Sequence, residues 1–199
     1  RVRLNVKDSE TDNENTVDFT KDASIMIYRL PENMKVGATT AGGVSATSID
    51  ANILTIKDGT VFNTSNPTSG YDPKVVLGGN FTMWRDVIVW PNNGGRTING
   101  ASTAEASVDR QYFIVVSGRG KAGHILASGD EMLTEGPVYW SGLIKQNFTP
   151  NTIREVNLTL RSGGTTEVPT KPRDEGGLTI DVAAPEAWSS NIVESALTL

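Results

Sequence analysis

The sequence predicts an all-β protein, an antiparallel β-sandwich with Greek-key-like connections, and three observations support this fold class. Apolar and polar residues alternate with a period of two in several segments, as they do in strands with one buried face. Clusters of turn-forming residues separate these segments, in a chain that has 20 glycines and 9 prolines. No stretch combines a helical apolar period with capping residues. Short strands separated by such turns are typical of two antiparallel sheets that pack face to face.

Three segments alternate most regularly, and we expect their apolar residues to face one core between the sheets. They are Arg1–Lys7 at the start of the sequence, and residues 155–161 and 178–182 near its end. Successive side chains of a strand point to opposite faces, so one register places all the apolar residues inside. The predicted core residues are Val2, Leu4, Val6, Val156, Leu158, Leu160, Leu178, Ile180 and Val182.

The remaining strands are predicted from shorter apolar runs. Tyr112–Val116 is apolar on both faces, which indicates a central strand, and Ser24–Leu30 and Val87–Trp90 are further candidates. The turn clusters between them are Pro31–Asn33, Thr39–Gly43, Asp58–Gly59, Asn66–Pro73, Asn92–Gly95, Ser117–Gly123 and Gly163–Gly176.

We interpret residues 1–188 as one β-sandwich domain and residues 189–199 as a C-terminal tail. A chain of 199 residues can bury a sizeable core, and its 37% hydrophobic and 21% charged residues are typical of a globular protein. The sequence shows no signal peptide and no apolar run long enough to cross a bilayer as a helix. If the protein is exported, we expect the sequence to begin after processing or at an artificial boundary, with membrane attachment only through an anchor outside this sequence.

Charge and cysteine content exclude several functions. The absence of cysteine excludes disulfides, thiol catalysis and cysteine-ligated metals. A net charge of -5 argues against nucleic acid as a partner, because binding phosphates requires a basic surface. The acidic segment Asp8–Asp18 is interpreted as a solvated loop, and it lacks the central glycine of an EF-hand. We expect no metal site.

Two features of the sequence can be compared with enzyme motifs. Gly118-x-Gly120-x-x-Gly123 has the letters of a dinucleotide fingerprint, which requires a helix to follow it. Residues 122–127 read instead as the return strand of a glycine-rich hairpin. His124, the single histidine, has no G-x-S-x-G partner motif and is interpreted as a strand or turn residue. We therefore expect no catalytic residue and no cofactor, although paired carboxylates for glycoside hydrolysis remain an open alternative.

The C-terminal half resembles the fimbrillins of Bacteroidetes, which are subunits of protease-assembled (type V) surface fimbriae. The resemblance rests on an aromatic strand at Gly136–Trp140, the stretch Asn147–Leu160, an amphipathic strand at Leu178–Val182, and Trp188. Arg1–Val6 is similar to the strand that opens the second fimbrillin domain. The resemblance implies a transthyretin-like sandwich, mainly the C-terminal domain of such a subunit, whereas the middle of the chain matches no family.

The resemblance also implies a function. It suggests a non-enzymatic structural or accessory subunit of an outer-membrane-associated fimbria at the cell surface. Its partners would be other fimbrial subunits and a host or bacterial surface glycan or protein. Subunits of this family assemble by β-strand exchange, in which a segment of one subunit fills a groove of its neighbour.

The tail beyond Trp188 is a candidate for the exchanged strand. It is apolar at alternate positions and ends in an apolar residue, which is unusual for an idle terminus. The same residues could equally form the final edge strand of this domain. The candidate assembly residues are Val193, Ser195, Leu197 and Leu199.

A glycan-binding adhesin is the alternative function. Aromatic residues cluster in the middle of the chain among flexible, amide-rich segments, and aromatic faces can stack on sugar rings. The same tryptophans could instead be core residues of a strand. The candidate glycan contacts are Tyr71, Phe81, Trp84 and Trp90.

Overall fold

The computed structural model describes residues 2–8, 13–30, 54–56, 81–89, 92, 97–98, 101–102, 111–149, 152–169, 177–182, 184 and 186–187. These residues form twelve strands and one short helix, α1, at Asn13–Thr16. The strands are β1 (Val2–Asp8), β2 (Val17–Asp18), β3 (Ser24–Tyr28), β4 (Leu54–Ile56), β5 (Phe81–Val87), β6 (Thr97–Ile98), β7 (Ala101–Ser102), β8 (Tyr112–Gly120), β9 (Gly136–Ile144), β10 (Thr152–Leu160), β11 (Leu178–Val182) and β12 (Glu186–Ala187).

The first sheet is ordered β5, β1, β10, β11. β1 pairs antiparallel with β5 and parallel with β10, with Val2 opposite Arg154. β10 pairs antiparallel with β11, and the first two residues of β10 pair with β12. Strands from both ends of the described chain therefore meet in one sheet.

The second sheet is antiparallel and centred on β8. β9 pairs with β8 along the whole of both strands. β3 and β2 pair with successive segments of the opposite edge of β8, and β4 pairs with β3. β6 and β7 form a separate two-stranded ladder.

The two sheets pack face to face around one apolar core, which confirms the predicted β-sandwich. From the first sheet, Val156, Leu158 and Leu160 are fully buried, and Ile180 and Val182 pack against the same core. Each fully buried aliphatic side chain contributes roughly 1.5–3 kcal/mol relative to an exposed one. The second sheet contributes Ile25, Ile27, Tyr112, Ile114, Val116, Val138, Trp140 and Ile144. β1 is a strand as predicted, but the side chains of Val2, Leu4 and Val6 lie outside the described ones.

A second apolar cluster lies on the outer face of the second sheet. Met26, Tyr28, Phe113 and Val115 are buried there, and Tyr139 and Leu143 pack against them. Both faces of β8 are therefore buried, and this confirms the central strand predicted at residues 112–116. The continuous apolar run of this strand is what two buried faces require.

One strand pair differs from the expected antiparallel arrangement, because β1 runs parallel to β10. Alternation along a strand decides which side chains share a face, and that part of the prediction does not depend on direction. Whether two strands run parallel or antiparallel depends on the path of the chain between them. Local sequence patterns do not record that path when the strands are far apart in sequence.

The glycine-rich segment after residue 116 is strand where a turn was predicted. β8 continues through Gly118 and Gly120, and the return strand is β9, so the prediction at residues 122–127 is wrong. These two glycines make room for neighbouring side chains. A Cβ at Gly120 would lie 2.6 Å from a methyl group of Val138, and one at Gly118 would lie 2.9 Å from Phe19 and Val17.

Two further boundaries are corrected. The strand predicted at Val87–Trp90 is wrong in its position, because β5 spans Phe81–Val87 and residues 88 and 89 are not in a strand. The acidic segment at residues 8–18 is also more than a solvated loop, since β1 ends within it and α1 and β2 follow. Asn13 and Val17 are buried, so this segment contributes to the core despite its charged neighbours.

Candidate functional site

The described part of the structure includes the side chain of none of the predicted contact residues. Val193, Ser195, Leu197 and Leu199 lie outside the described residues, as do Tyr71 and Trp90. Phe81 and Trp84 lie on β5, opposite Asp8 and Asn5 of β1, but their side chains are outside the described ones. The assembly and glycan predictions therefore remain predictions.

The edges of the two sheets are the places where another strand could add. Among the described strands, β5 and β11 are outermost in the first sheet, and β4 and β9 are outermost in the second. The edge of β9 is partly occupied, since Tyr139 and Thr165 exchange two backbone hydrogen bonds of 2.8 and 3.0 Å. Strand addition at β9 is therefore restricted at this point of its edge.

One end of the sandwich is organised around His124. Its ring is 2% exposed, with Nε2 2.7 Å from the Gly163 carbonyl oxygen and Nδ1 2.9 Å from the Thr16 hydroxyl. A carbonyl oxygen only accepts, so Nε2 carries a proton and donates to Gly163, while Nδ1 forms the second hydrogen bond with the Thr16 hydroxyl. His124 thus joins α1, the loop after β8 and the loop after β10.

Backbone hydrogen bonds connect the same three segments. Lys121 N–H donates to the Thr16 carbonyl at 2.8 Å, and Ala127 N–H donates to the Gly164 carbonyl at 2.9 Å. The carbonyl of Ser162 accepts from the Asn13 amide at 3.1 Å and from the Trp140 indole at 2.8 Å. This end of the molecule is fixed by bonds between segments that are far apart in sequence.

The loop between β8 and β9 forms a small hairpin at residues 123–133. Met132 N–H donates to the His124 carbonyl and Gly123 N–H donates to the Met132 carbonyl, both at 2.8 Å. His124 and Met132 are buried, whereas Ile125, Glu131 and Leu133 are exposed. The hairpin therefore has an inner face that packs on the sandwich and an outer face that meets solvent.

Charged residues connect the base of this loop to the second sheet. The Arg119 guanidinium donates through Nε to Glu135 at 2.5 Å and through Nη1 to Asp22. The hydrogen bonds to Asp22 and then to Glu135 raise the pKa of Arg119. Asp18 is also stabilised as a carboxylate, since hydrogen bonds from the Thr20 hydroxyl and backbone N–H lower its pKa.

The opposite end of the sandwich is closed by Phe148. Its backbone N–H donates to the Asn92 side chain at 2.6 Å, and its carbonyl accepts from the Asn92 N–H at 3.1 Å. Its ring lies 5.7 Å from that of Tyr112, whose pKa is raised by burial. Asn92 therefore holds the turn between β9 and β10 through both its backbone and its side chain.

Arg154 lies beside Phe148 and is the charged residue that sequence reasoning missed. It is 8% exposed, its Nη1 donates to the Asn147 carbonyl at 2.6 Å, and its Cζ lies 5.9 Å from the Phe148 ring centre. Its Nε is buried without a hydrogen-bond partner, and burial lowers its pKa. The signal was present in the sequence, because Arg154 has the same alternation as Val156 and therefore the same inward face.

The described residues contain no group of three or more histidine, aspartate or glutamate side chains that could hold a metal ion. In the same part of the chain, no helix is long and apolar enough to span a membrane.

Comparison with solved structures gives a likeness of low similarity. No protein-family model matches the sequence, and no curated protein matches it. The fold is similar to the crystal structure of a "putative cell adhesion protein" from Bacteroides eggerthii, with a TM-score of 0.39 and 13% sequence identity. The match covers 94% of this chain and 55% of that protein, so the chain spans about half of its length.

Proposed function

We propose that the chain is a non-enzymatic structural or accessory subunit of a bacterial cell-surface fimbria and that it assembles by β-strand exchange. Under this proposal the protein is exported and its partners are other subunits of the same fibre. Its contact with those partners is made through backbone hydrogen bonds and apolar side chains, and no catalytic group takes part.

The observation that carries the proposal is the order of elements in the C-terminal half. The segments that resemble the fimbrillins coincide with β9, the turn closed by Phe148, β10 and β11. Trp188 follows β12 directly. The all-β sandwich agrees with the fold that the resemblance implies. The outermost strands among the described ones have backbone groups with which an added strand could pair.

Residues 189–199 are the donor segment in this proposal. Val193, Leu197 and Leu199 share one face of an extended strand with Ser195. An extended segment gains affinity from ladder hydrogen bonds and specificity from its alternate side chains. The position of the segment after the resembling region is what leads us to assign it the donor role.

A peptide-complementation experiment tests the donor role. A chain that lacks Ser189–Leu199 should remain a folded monomer, and a synthetic peptide of residues 191–199 should bind to it. The matched control is the same peptide with Leu197→Asp, which keeps the length and backbone but places a charge in an apolar pocket. Binding is measured by titration calorimetry, and the fold by near-ultraviolet circular dichroism.

Two outcomes would overturn the donor role. If the truncated chain unfolds and the peptide restores it, the tail is the edge strand of this domain. If the truncated chain folds but binds both peptides equally or neither, the donor segment lies elsewhere. A glycan array with the complete chain is the companion test, because a subunit without a sugar site should show no selectivity. Selective binding that Trp84→Ala abolishes would favour a glycan-binding adhesin instead.

A further inference from the structure

The outer face of the hairpin at residues 123–133 exposes apolar side chains on a segment that is otherwise well anchored. Leu133 is 89% exposed and Ile125 is 52% exposed, while Glu131 pairs with Ile125 across the hairpin. Their neighbours Met132 and His124 point into the sandwich. We call Ile125, Glu131 and Leu133 the hairpin outer face.

The hairpin that carries this outer face is anchored to the rest of the sandwich. The hairpin is closed by hydrogen bonds of 2.8 Å, and a bond of 2.9 Å ties Ala127 to the loop after β10. The Met132 side chain reaches Gly120 of β8, with its sulfur 2.7 Å from the position that a Cβ would take there. A surface that is already ordered loses little conformational entropy on binding, which is a property of good docking surfaces.

Among the described residues, the charges on and beside this surface are mainly acidic. Glu131 lies within it and Asp130 precedes it, and Glu167 is exposed on the adjoining loop, next to the exposed Val168. Arg119 is already engaged by Asp22 and Glu135, although Lys121 adds a basic residue before the hairpin. A second copy of the same face is a poor partner, because like charges would meet and the chain has a net charge of -5.

We propose that the hairpin outer face is a docking surface for a segment of another protein in which lysine or arginine flanks an apolar side chain. The apolar side chain packs against Leu133 and Ile125, and the basic side chains meet Glu131 and the neighbouring carboxylates. The proposal goes beyond strand exchange and does not depend on it, because this hairpin is distinct from both the outermost strands and the C-terminal tail.

Peptide selection tests both the place and the chemistry of the partner. Random peptides displayed on phage are selected on the wild-type chain, and single peptides are then measured on two double variants. The hairpin variant, Glu131→Lys with Leu133→Ser, removes the acidic and apolar character of the surface. The matched control, Asp181→Lys with Ile88→Ser, makes the same changes at exposed positions elsewhere.

We expect the selected peptides to combine basic and apolar residues. Their affinity should fall by about tenfold or more on the hairpin variant, remain unchanged on the control, and weaken as salt is added. Both variants change exposed side chains, so thermal unfolding should show that they remain folded. Peptides without basic residues, equal losses on the two variants, or a selection that yields no peptide preferring the wild type would each overturn the proposal.

Discussion

Gly163 lies where the loop after β10 meets the hairpin, and its missing side chain permits that contact. A Cβ at this position would lie 1.7 Å from the Ile125 carbonyl oxygen and 2.8 Å from the carbonyl carbon. Its own carbonyl accepts the hydrogen bond from His124. Gly163 thus combines two features: its backbone lies close to that of Ile125, and its carbonyl forms a buried hydrogen bond with His124.

Gly163→Ala should therefore destabilise the protein. The new methyl group overlaps backbone atoms, which cannot rotate away, so the two loops must separate at a cost of about 1–3 kcal/mol or more. The matched control is Gly136→Ala, where the nearest atom is the flexible end of Met132 at 3.5 Å. Urea denaturation of the two variants measures the difference, and equal midpoints would contradict the proposed contact.

Arg154 poses the question of whether a buried guanidinium stabilises by charge or by packing. It has one carbonyl partner, an aromatic neighbour and a buried Nε without a partner. Desolvation of a charge with so few partners offsets much of what its hydrogen bond contributes. The aliphatic stem, by contrast, packs like any core side chain.

We expect Arg154→Met to change the free energy of unfolding by less than about 1.5 kcal/mol, since it keeps most of the stem volume. Arg154→Ala removes that volume and should cost about 2–4 kcal/mol, as other large truncations in cores do. Both values are obtained from chemical denaturation. A methionine variant as unstable as the alanine variant would show that the guanidinium itself is required.

At the scale of the element, β10 joins most of the first sheet, since it pairs with β1, β11 and β12. Its inward residues Val156, Leu158 and Leu160 are all fully buried against the second sheet. The strand thus contributes both backbone pairing and core packing.

Leu158→Ala should cost about 2–5 kcal/mol, because it leaves a cavity in the middle of the core. Thr179→Ala is the control, since this residue of β11 is exposed and should change stability by less than about 0.5 kcal/mol. Thermal unfolding followed by circular dichroism measures both. A similar small loss for the two variants would contradict the assigned register of β10.

The sequence alone predicted the strands whose pattern lies within a few neighbouring residues. Alternation predicted the strands at β1, β10 and β11, and the continuous apolar run predicted β8 with both faces buried. The glycines of β8 were wrongly predicted to form a turn. Glycine occurs both in tight turns and where two elements pack closely, and only the neighbouring side chains distinguish the two cases. The apolar groups that these glycines accommodate come from Val17, Phe19, Met132 and Val138, which are distant in sequence or lie on other elements.

The candidate site was less accessible to prediction for the same reason. His124 and the hairpin depend on contacts between α1 and two loops, and no local pattern records which of these segments meet. The exposed position of Leu133 follows from the burial of Met132 beside it, and that depends on the space above Gly120. The assembly role of the tail and the glycan contacts in the middle of the chain stay predictions.

At the scale of the whole molecule, β1 is the connection between the two halves of the first sheet. It has β5 on one side and β10 on the other, and every residue of β1 has a partner on both. Loss of pairing on β1 would therefore separate β5 from β10.

Asn5→Pro should disrupt the first sheet, since proline removes a ladder N–H from a strand with neighbours on both edges. We expect a loss of about 3 kcal/mol or more, measured as a lower urea midpoint. Asn5→Ala is the control, because it keeps the N–H and changes the side chain alone. Equal stability of the two variants would show that β1 is not bonded on both edges.

The parallel pairing of β1 with β10 also sets an order of events during synthesis. About 150 residues separate the two strands, and at typical translation rates β1 leaves the ribosome some 8–30 s before β10. β5 is available sooner and can occupy one edge of β1, but the other edge stays open for the rest of that interval. We therefore expect the nascent chain to lack the β10 partner of β1 for seconds, and an unpaired strand edge of this kind can pair with other chains.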